Sequence, residues 1–417
     1  MKSINLERYG NGPITLDDVA AWAATDNCLM LFAEDLVSLC DVLSRRLLQA
    51  MDPREYPEVG ALAFWLRRAS IVQLRKNILG QIPKHVVLVP RGIALHFPPT
   101  NVDTVFVYSW ALSFLVGNRN LIRLSRRHDG LSAKLAHVLG QVLAESDSAA
   151  VRSNTLILAY DHDDATSTDL SALADLRIVW GGDDTVNHMR ALPLPPLASE
   201  VVFPSRTSLA VLSAGSVLAL EDAALEHFAQ DFYEDVYAFD QLACSSPRRV
   251  VWLGDADEAG RASRRFFTAL ASVVAEKNYA LETATVLSKL TLAAGGLADG
   301  KVDRLDRYGN AVTVMGMTAR QGFLEEFCGG GLFEECRVQT LAEVASALSQ
   351  RNQTLTHFGL SDEQLRTMIL AAGNAAPDRV VPVGEALSFS RYWDGMDLIQ
   401  VFTRSVHVVG RSHAESG

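Results

Sequence analysis

From residue 85 onward, short apolar runs alternate with amphipathic helical stretches, and this alternation leaves few architectures open. Runs at 85–89, 92–96, 121–124, 155–159, 177–180 and 208–212 have the length of buried strands. Between them, 103–116 and 132–145 read as helices; the second places Leu135, Val138, Leu139, Val142 and Leu143 on one face. Such alternation predicts a parallel sheet with helices on both sides, an α/β fold. A second α/β block follows, with a strand at 249–253 between helices at 222–239 and 257–277. Further helices are predicted at 281–294, 341–351 and 362–372, and a strand at 311–315. The end, 379–409, reads strand-rich and aromatic. The first 75 residues read as helical: Leu36, Leu39, Cys40, Leu43 and Leu47 recur at helical spacing, with Arg45 and Arg46 opposite. The small residues Ser213-Ala214-Gly215 mark the junction of the two blocks.

Composition excludes several classes. A net charge of −11 argues against a nucleic-acid partner, which needs a basic face. The longest uncharged apolar stretch, 104–118, is too short to span a bilayer and reads as a buried helix. Residues 1–8 lack the apolar core of a signal peptide. Five scattered cysteines without a C-x-x-C or Cys/His spacing read as reduced thiols. The expectation is a cytoplasmic protein with no integral membrane segment and no bound metal.

One of those thiols stands apart. Gln241-Leu242-Ala243-Cys244-Ser245-Ser246-Pro247 runs into Arg248-Arg249 and a strand. A thiol reacts as thiolate, which nearby positive charge favours; a lone cysteine is also commonly a buried structural one. Upstream, Pro98-Pro99-Thr100-Asn101 links a strand to a helix. Asn101 suits a helix cap, or an amide donor towards a developing oxyanion, worth roughly a hundred- to a thousandfold in rate. Gly117-Asn118-Arg119-Asn120 leads through a strand to the basic cluster Arg123, Ser125, Arg126, Arg127. That cluster is either a solvated face or, at a strand's carboxyl end, a place for a ribose or phosphate. Neither G-x-G-x-x-G nor a P-loop is present.

In this order the pieces resemble the aldehyde dehydrogenase superfamily, and more closely its LuxC-type acyl-CoA reductases, which supply long-chain aldehyde. The match runs from Pro98-Pro99-Thr100-Asn101-Val102 through Trp180-Gly181-Gly182-Asp183 and Gln241-x-Ala243-Cys244. It ends in Asp378-Arg379-Val380-Val381-Pro382 and Trp393-Asp394-Gly395-x-Asp397-Leu398. It covers about residues 80 to 404. The resemblance implies a helical region 1–75 packed on a Rossmann-type NAD(P)-binding domain of 76–213. A catalytic domain of 214–377 and a strand-rich oligomerising segment of 378–417 follow. It implies Cys244 as nucleophile, with Asn101 and the Cys244 amide as oxyanion donors. Arg123, Ser125, Arg126, Gly181 and Gly182 would bind the cofactor. Arg126 stands where many NAD-using relatives have a glutamate on the ribose, so NADPH is expected over NADH. Residues 202–208 replace the segment that carries the water-activating glutamate of acid-forming relatives, and contain no carboxylate. That implies reduction of an acyl thioester to an aldehyde. A Cys-dependent acyltransferase or thioesterase without a redox step is the alternative. The donor would be acyl-CoA or an acyl-carrier or acyl-protein thioester, with an acyl-protein ligase as partner and a homo-oligomeric assembly.

Other residues carry weaker signals. Asp161-His162-Asp163-Asp164 reads as a polar loop rather than a metal site. Cys328 and Cys336 read as loop and core thiols, and His96 as a packed core histidine or a proton donor. No catalytic carboxylate is assigned among Glu325, Glu326, Glu334 and Glu335.

Overall fold

The structure, a computed structural model, describes residues 6–9, 12–25, 27, 29–99, 102–126, 130–319 and 322–410. Contacts divide the chain into two units. The first holds the chain up to Pro204, Phe389–Tyr392 and the segment from Met396; the second holds Ser205–Ser388 and Trp393–Gly395.

The first unit opens with strands β1 (Leu6–Arg8) and β2 (Gly12–Ile14), then helices α1 (Leu16–Ala23), α2 (Glu34–Ala50), α3 (Pro57–Trp65) and α4 (Arg68–Leu79). There follow β3 (Val86–Pro90), β4 (Ile93–Phe97), α5 (Val105–Leu115), β5 (Arg119–Leu124), α6 (Leu131–Ala144) and α7 (Ala149–Arg152). It continues with β6 (Thr155–Ala159), α8 (Asp164–Ser171), β7 (Leu176–Trp180), α9 (Asp183–Ala191) and β8 (Ser199–Phe203). Five of these strands are parallel, in the spatial order β6-β5-β4-β7-β8. The chain thus starts in the middle, builds outward one way, then returns to build the other way. Such a reversal leaves a crevice beyond the carboxyl ends of the two strands where it occurs, here β4 and β7.

The predicted helical start is present as α1 to α4, but a hairpin precedes it. β1 pairs antiparallel with both β2 and β6 and so extends the sheet edge. Leu6 and Ile14 are buried in one cluster with Leu156 and Leu158; strands of three residues are too short to show a period of two. Every residue of α5 is buried, so the uncharged run 104–118 is interior helix. Its polar groups are satisfied against the sheet: Ser109 Oγ lies 3.0 Å from His96 Nδ1, and Trp110 Nε1 donates to Thr155 Oγ1 at 3.0 Å. Among the described residues no helix is long and apolar enough to cross a membrane.

The second unit contains β9 (Thr207–Ser213), α10 (Ala214–Leu218), α11 (Asp222–Tyr237), β10 (Pro247–Leu253), α12 (Ala256–Glu276) and α13 (Thr283–Ala298). It continues with β11 (Val302–Tyr308), β12 (Val312–Met317), β13 (Leu332–Val338), α14 (Leu341–Ala347), β14 (Asn352–Phe358), α15 (Asp362–Ala372) and β15 (Arg379–Pro382). The sheet order is β11-β12-β13-β10-β9-β14-β15, parallel throughout except between β11 and β12. Alternate residues of β10 serve opposite faces, as strand geometry requires. Val250 and Trp252 pack with Phe228, Phe232, Phe266 and Phe267 of α11 and α12. Val251 packs with Val344, Leu365 and Met368 of α14 and α15. The chain ends through β16 (Tyr392–Trp393), β17 (Met396–Asp397), α16 (Leu398–Phe402) and β18 (Thr403–His407), the last antiparallel to β3.

Candidate active site

Cys244 lies on the turn from α11 to β10, at the amino-terminal edge of strands β10, β9 and β14. The turn contains two non-glycine residues in the left-handed region, Asp240 at φ 51° and Gln241 at φ 63°, a conformation that needs support from its surroundings. Gln241 supplies much of that support. Its buried side chain donates to the Pro247 carbonyl at 2.9 Å and accepts from the Leu332 amide at 3.0 Å. The Tyr279 hydroxyl donates to Asp240 at 2.6 Å. Ser208 Oγ donates to the Cys244 carbonyl at 2.6 Å while accepting from the Thr354 amide at 3.1 Å. The turn is thereby tied to β9, β10, β13 and β14.

Among the described residues the sulfur has one side-chain hydrogen-bond donor. Gln353 Nε2, on β14, lies 3.3 Å from Cys244 Sγ and 2.6 Å from Asp394 Oδ1. Asp394 Oδ2 is 4.0 Å from Arg206 Nε, and the Arg206 guanidinium is paired with Asp378. Burial pushes the Cys244 thiol up to about 11, and the Asp394 charge adds to this. The Gln353 bond, the residue's own amide and Arg379 pull the other way. Burial likewise raises Asp394 above the usual carboxylate range, against the Gln353 bond and Arg206. At neutral pH the free protein therefore carries a thiol here.

The two arginines behind the cysteine do not activate it, contrary to the expectation from their spacing. Arg248 donates to the Leu324 carbonyl at 3.0 Å and lies over the Phe327 ring at 4.0 Å. Arg249 is buried against Glu334, with Nε 3.0 Å from Oε2. Asn101, the expected oxyanion donor, lies outside the described residues. The region 202–208 brings Arg206 and no carboxylate; the carboxylate beside the sulfur's donor comes from Asp394, far along the chain.

The first unit holds a cavity of about 460 Å³ at the carboxyl ends of β4, β5 and β7, where the strand order reverses. Phe97, Pro98 and Pro99 line one side, Trp180, Gly181 and Gly182 another, and Arg123 points in from β5. Arg123 donates to the Tyr160 carbonyl at 3.2 Å and lies over the Tyr160 ring at 5.0 Å, while its buried Nε has no hydrogen-bond partner among the described residues. Ser125 follows β5 and is half-buried; Arg126 is exposed, 3.8 Å from Asp161. Gly182 caps α9 from an extended conformation, and without side chains this turn allows close backbone approach. An unpartnered guanidinium nitrogen, a glycine turn at a helix start and a crevice at the reversal point together suit a dinucleotide.

The remaining candidates resolve into structural roles or small clusters. His96 is fully buried between Ser109 and Asn120, and burial holds it neutral, down to about 4. It is the packed core histidine. In the loop before α8, Asp163 caps the helix by accepting from the Thr166 amide at 2.8 Å. Asp164 meets His188 at 2.8 Å and His162 at 3.6 Å, and these three side chains are exposed. Glu334 and Glu335 are buried in β13, paired with Arg249 and with Arg304 and Arg337. Cys328 is half-buried and precedes three left-handed glycines, at φ 69°, 65° and 72°. Lys289 donates to the carbonyls of Asn310 at 2.8 Å and Gly330 at 2.5 Å, and burial lowers it to about 8.

Against this geometry, the family model described as acyl-CoA reductase (LuxC) matches residues 62–286, more than half of the chain and inclusive of Cys244. The chain belongs to the LuxC acyl-CoA reductase family. No curated protein matches its sequence. Among solved structures, an NAD-dependent aldehyde dehydrogenase from Sinorhizobium meliloti superposes with a TM-score of 0.66 at 14% identity, covering 100% of this chain and 92% of that one. An NADP-dependent glyceraldehyde-3-phosphate dehydrogenase from Bacillus halodurans C-125, complexed with NADP, gives 0.62 at 12% identity, covering 98% and 96%. A benzaldehyde dehydrogenase from Corynebacterium glutamicum gives 0.61 at 13%, covering 97% and 96%. At these identities the likeness establishes the aldehyde-dehydrogenase fold, as the order of motifs implied. This LuxC-family member is an oxidoreductase of the acyl and aldehyde level. Gln353 and Asp394, which the sequence reading left without a role, both lie beyond the matched span.

Proposed function

We propose that this reductase uses NADPH to convert an acyl thioester, carried by CoA or a carrier protein, into an aldehyde through an acyl group held on Cys244. The observation that carries this reading is the placement of Cys244 Sγ 3.3 Å from a buried amide donor on a turn braced by four strands. A hydrogen bond from a neutral donor stabilises the thiolate that attacks the carbonyl. The sulfur forms a new thioester as the carbon–sulfur bond to CoA breaks; the CoA thiolate leaves with that bond's electron pair and takes up the proton given up by the Cys244 thiol. The reduced dinucleotide, when bound, supplies the hydride. The resulting thiohemiacetal on Cys244 collapses to aldehyde and regenerates the cysteine. Because 202–208 brings Arg206, bound to Asp378, and no carboxylate, no base from that segment activates water. Transfer between thiols is thereby favoured over hydrolysis to an acid.

Arg123 in the cavity and the exposed Arg126, which follows β5, support NADPH, since guanidinium groups pair well with a 2′-phosphate. An acyl-protein ligase as acyl donor, a homo-oligomer and a cytoplasmic setting belong to the same reading. The test is Cys244→Ala: acyl transfer and reduction are lost while NADPH fluorescence titration still reports binding. Retained turnover would remove the nucleophile assignment. CoA release from the wild type without NADPH oxidation would establish a non-redox acyltransferase or thioesterase instead.

A further inference from the structure

Gln353 is set in an unusual way for a buried amide. It is almost wholly enclosed on β14, with Nε2 serving Cys244 Sγ at 3.3 Å and Asp394 Oδ1 at 2.6 Å, and its Oε1 has no partner among the described residues. Asp394 Oδ1 accepts from Nε2, so the amide turns its NH2 group towards the carboxylate. With one hydrogen on the carboxylate, the second points at the sulfur. Reversing the amide would set Oε1 against a carboxylate and leave the sulfur without a side-chain donor among the described residues.

From this geometry we propose that Gln353 is a catalytic residue that donates to the Cys244 thiolate, and that Asp394 is the positioning residue that fixes its amide. The inference rests on Cys244 being the nucleophile. The two residues act with opposite electrostatic sign. Gln353 stabilises the thiolate by a hydrogen bond, whereas the Asp394 charge opposes it. The other charged groups at the site are Arg379 of β15, which favours the thiolate, and Arg206, 4.0 Å from Asp394 and itself bound to Asp378. Orientation and charge can therefore be separated by substitution.

The experiment is the pH profile of Cys244 alkylation by iodoacetamide in the full-length protein, read on the Cys244-containing peptide by mass spectrometry. Gln353→Met keeps length and removes the donor; alkylation at pH 8 should slow about tenfold and the profile should move to higher pH. Asp394→Asn keeps an acceptor oxygen for the Gln353 amide and removes the opposing charge; the profile should move to lower pH, with alkylation about three- to tenfold faster. A purely structural role moves neither profile, or moves both the same way. An unchanged profile in Gln353→Met, or movement of both variants in one direction, overturns the proposal. Should Gln353→Met fail to fold, Gln353→Asn, one methylene too short to reach the sulfur, makes the same test: its profile should move to higher pH, and an unchanged profile overturns the proposal. Turnover by Cys244→Ala, a separate assay, is what would remove the underlying nucleophile assignment.

Discussion

Breaking the buried pair between Arg249 and Glu334 should loosen the centre of the second unit by a calculable amount. The two residues face each other across adjacent parallel strands, in register, and both are buried. Glu334 accepts from Arg249 Nε at 3.0 Å and from the Leu324 amide at 2.9 Å, with Arg248 4.0 Å away. Arg249 also reaches the Gly322 carbonyl and lies over the Phe323 ring at 4.3 Å. Glu334→Met removes the carboxylate that faces Arg249 among the described residues, and breaking a buried pair from one side costs about 3–5 kcal/mol. Replacing both partners, Arg249→Met with Glu334→Met, removes the uncompensated charge, and such double replacements are often neutral or stabilising. Hydrogen exchange of peptides covering β10 and β13 is the local readout. At about 4 kcal/mol, amides there should exchange about a thousandfold faster in Glu334→Met. The double variant should recover most of that protection. A double variant no better protected than Glu334→Met would refute the reasoning, because the cost would then lie in lost packing and not in the stranded charge.

Gly331→Ala should cost at least about 2 kcal/mol in urea unfolding, since φ is +72° and a Cβ would sit 1.9 Å from the Ala311 carbonyl oxygen; an unchanged midpoint contradicts it. Asp235 is buried, accepts from the Gly384 and Ala386 amides at 2.8 Å each, and is raised to about 7, chiefly by burial. A raised carboxyl contributes stability that is full below about 4 and lost as pH rises through 7. Asp235→Asn should flatten that part of the stability–pH curve, as read from urea midpoints at pH 5 and 7.5; parallel curves would count against it. Arg126→Glu should weaken NADPH binding at least about tenfold while sparing NADH, in fluorescence titrations; equal losses for both would remove the 2′-phosphate assignment.

Elements with apolar periodicity were legible from sequence. The strand–helix alternation, the helices α6, α11, α12 and α15, and the turn bearing Cys244 all follow from it. Three strands of the second unit escaped because their composition is polar. β13 contains Glu334 and Glu335, and β14 contains Asn352, Gln353 and three threonine and histidine positions, yet both are largely buried. Their polar groups are matched by partners distant in sequence: Arg249 is 85 residues from Glu334, and Gln353 is 109 from Cys244. Local pattern cannot report such pairings. Asp394 was visible as part of a turn, but its role depends on Gln353, 41 residues away. β11, an edge strand with Asp303, Arg304, Asp306 and Arg307, resembles a loop because one face meets solvent.

The path of the chain also bears on how the enzyme can be dissected. It changes unit at 204/205, 388/389, 392/393 and 395/396, so Asp394 is lent to the second unit by a tail that otherwise belongs to the first. Severing the polypeptide after Ser388 would leave the sheet, the cysteine and the glutamine on one fragment, with the carboxylate on the other. A thiol studied in that fragment would report a different chemistry from the one the intact chain possesses.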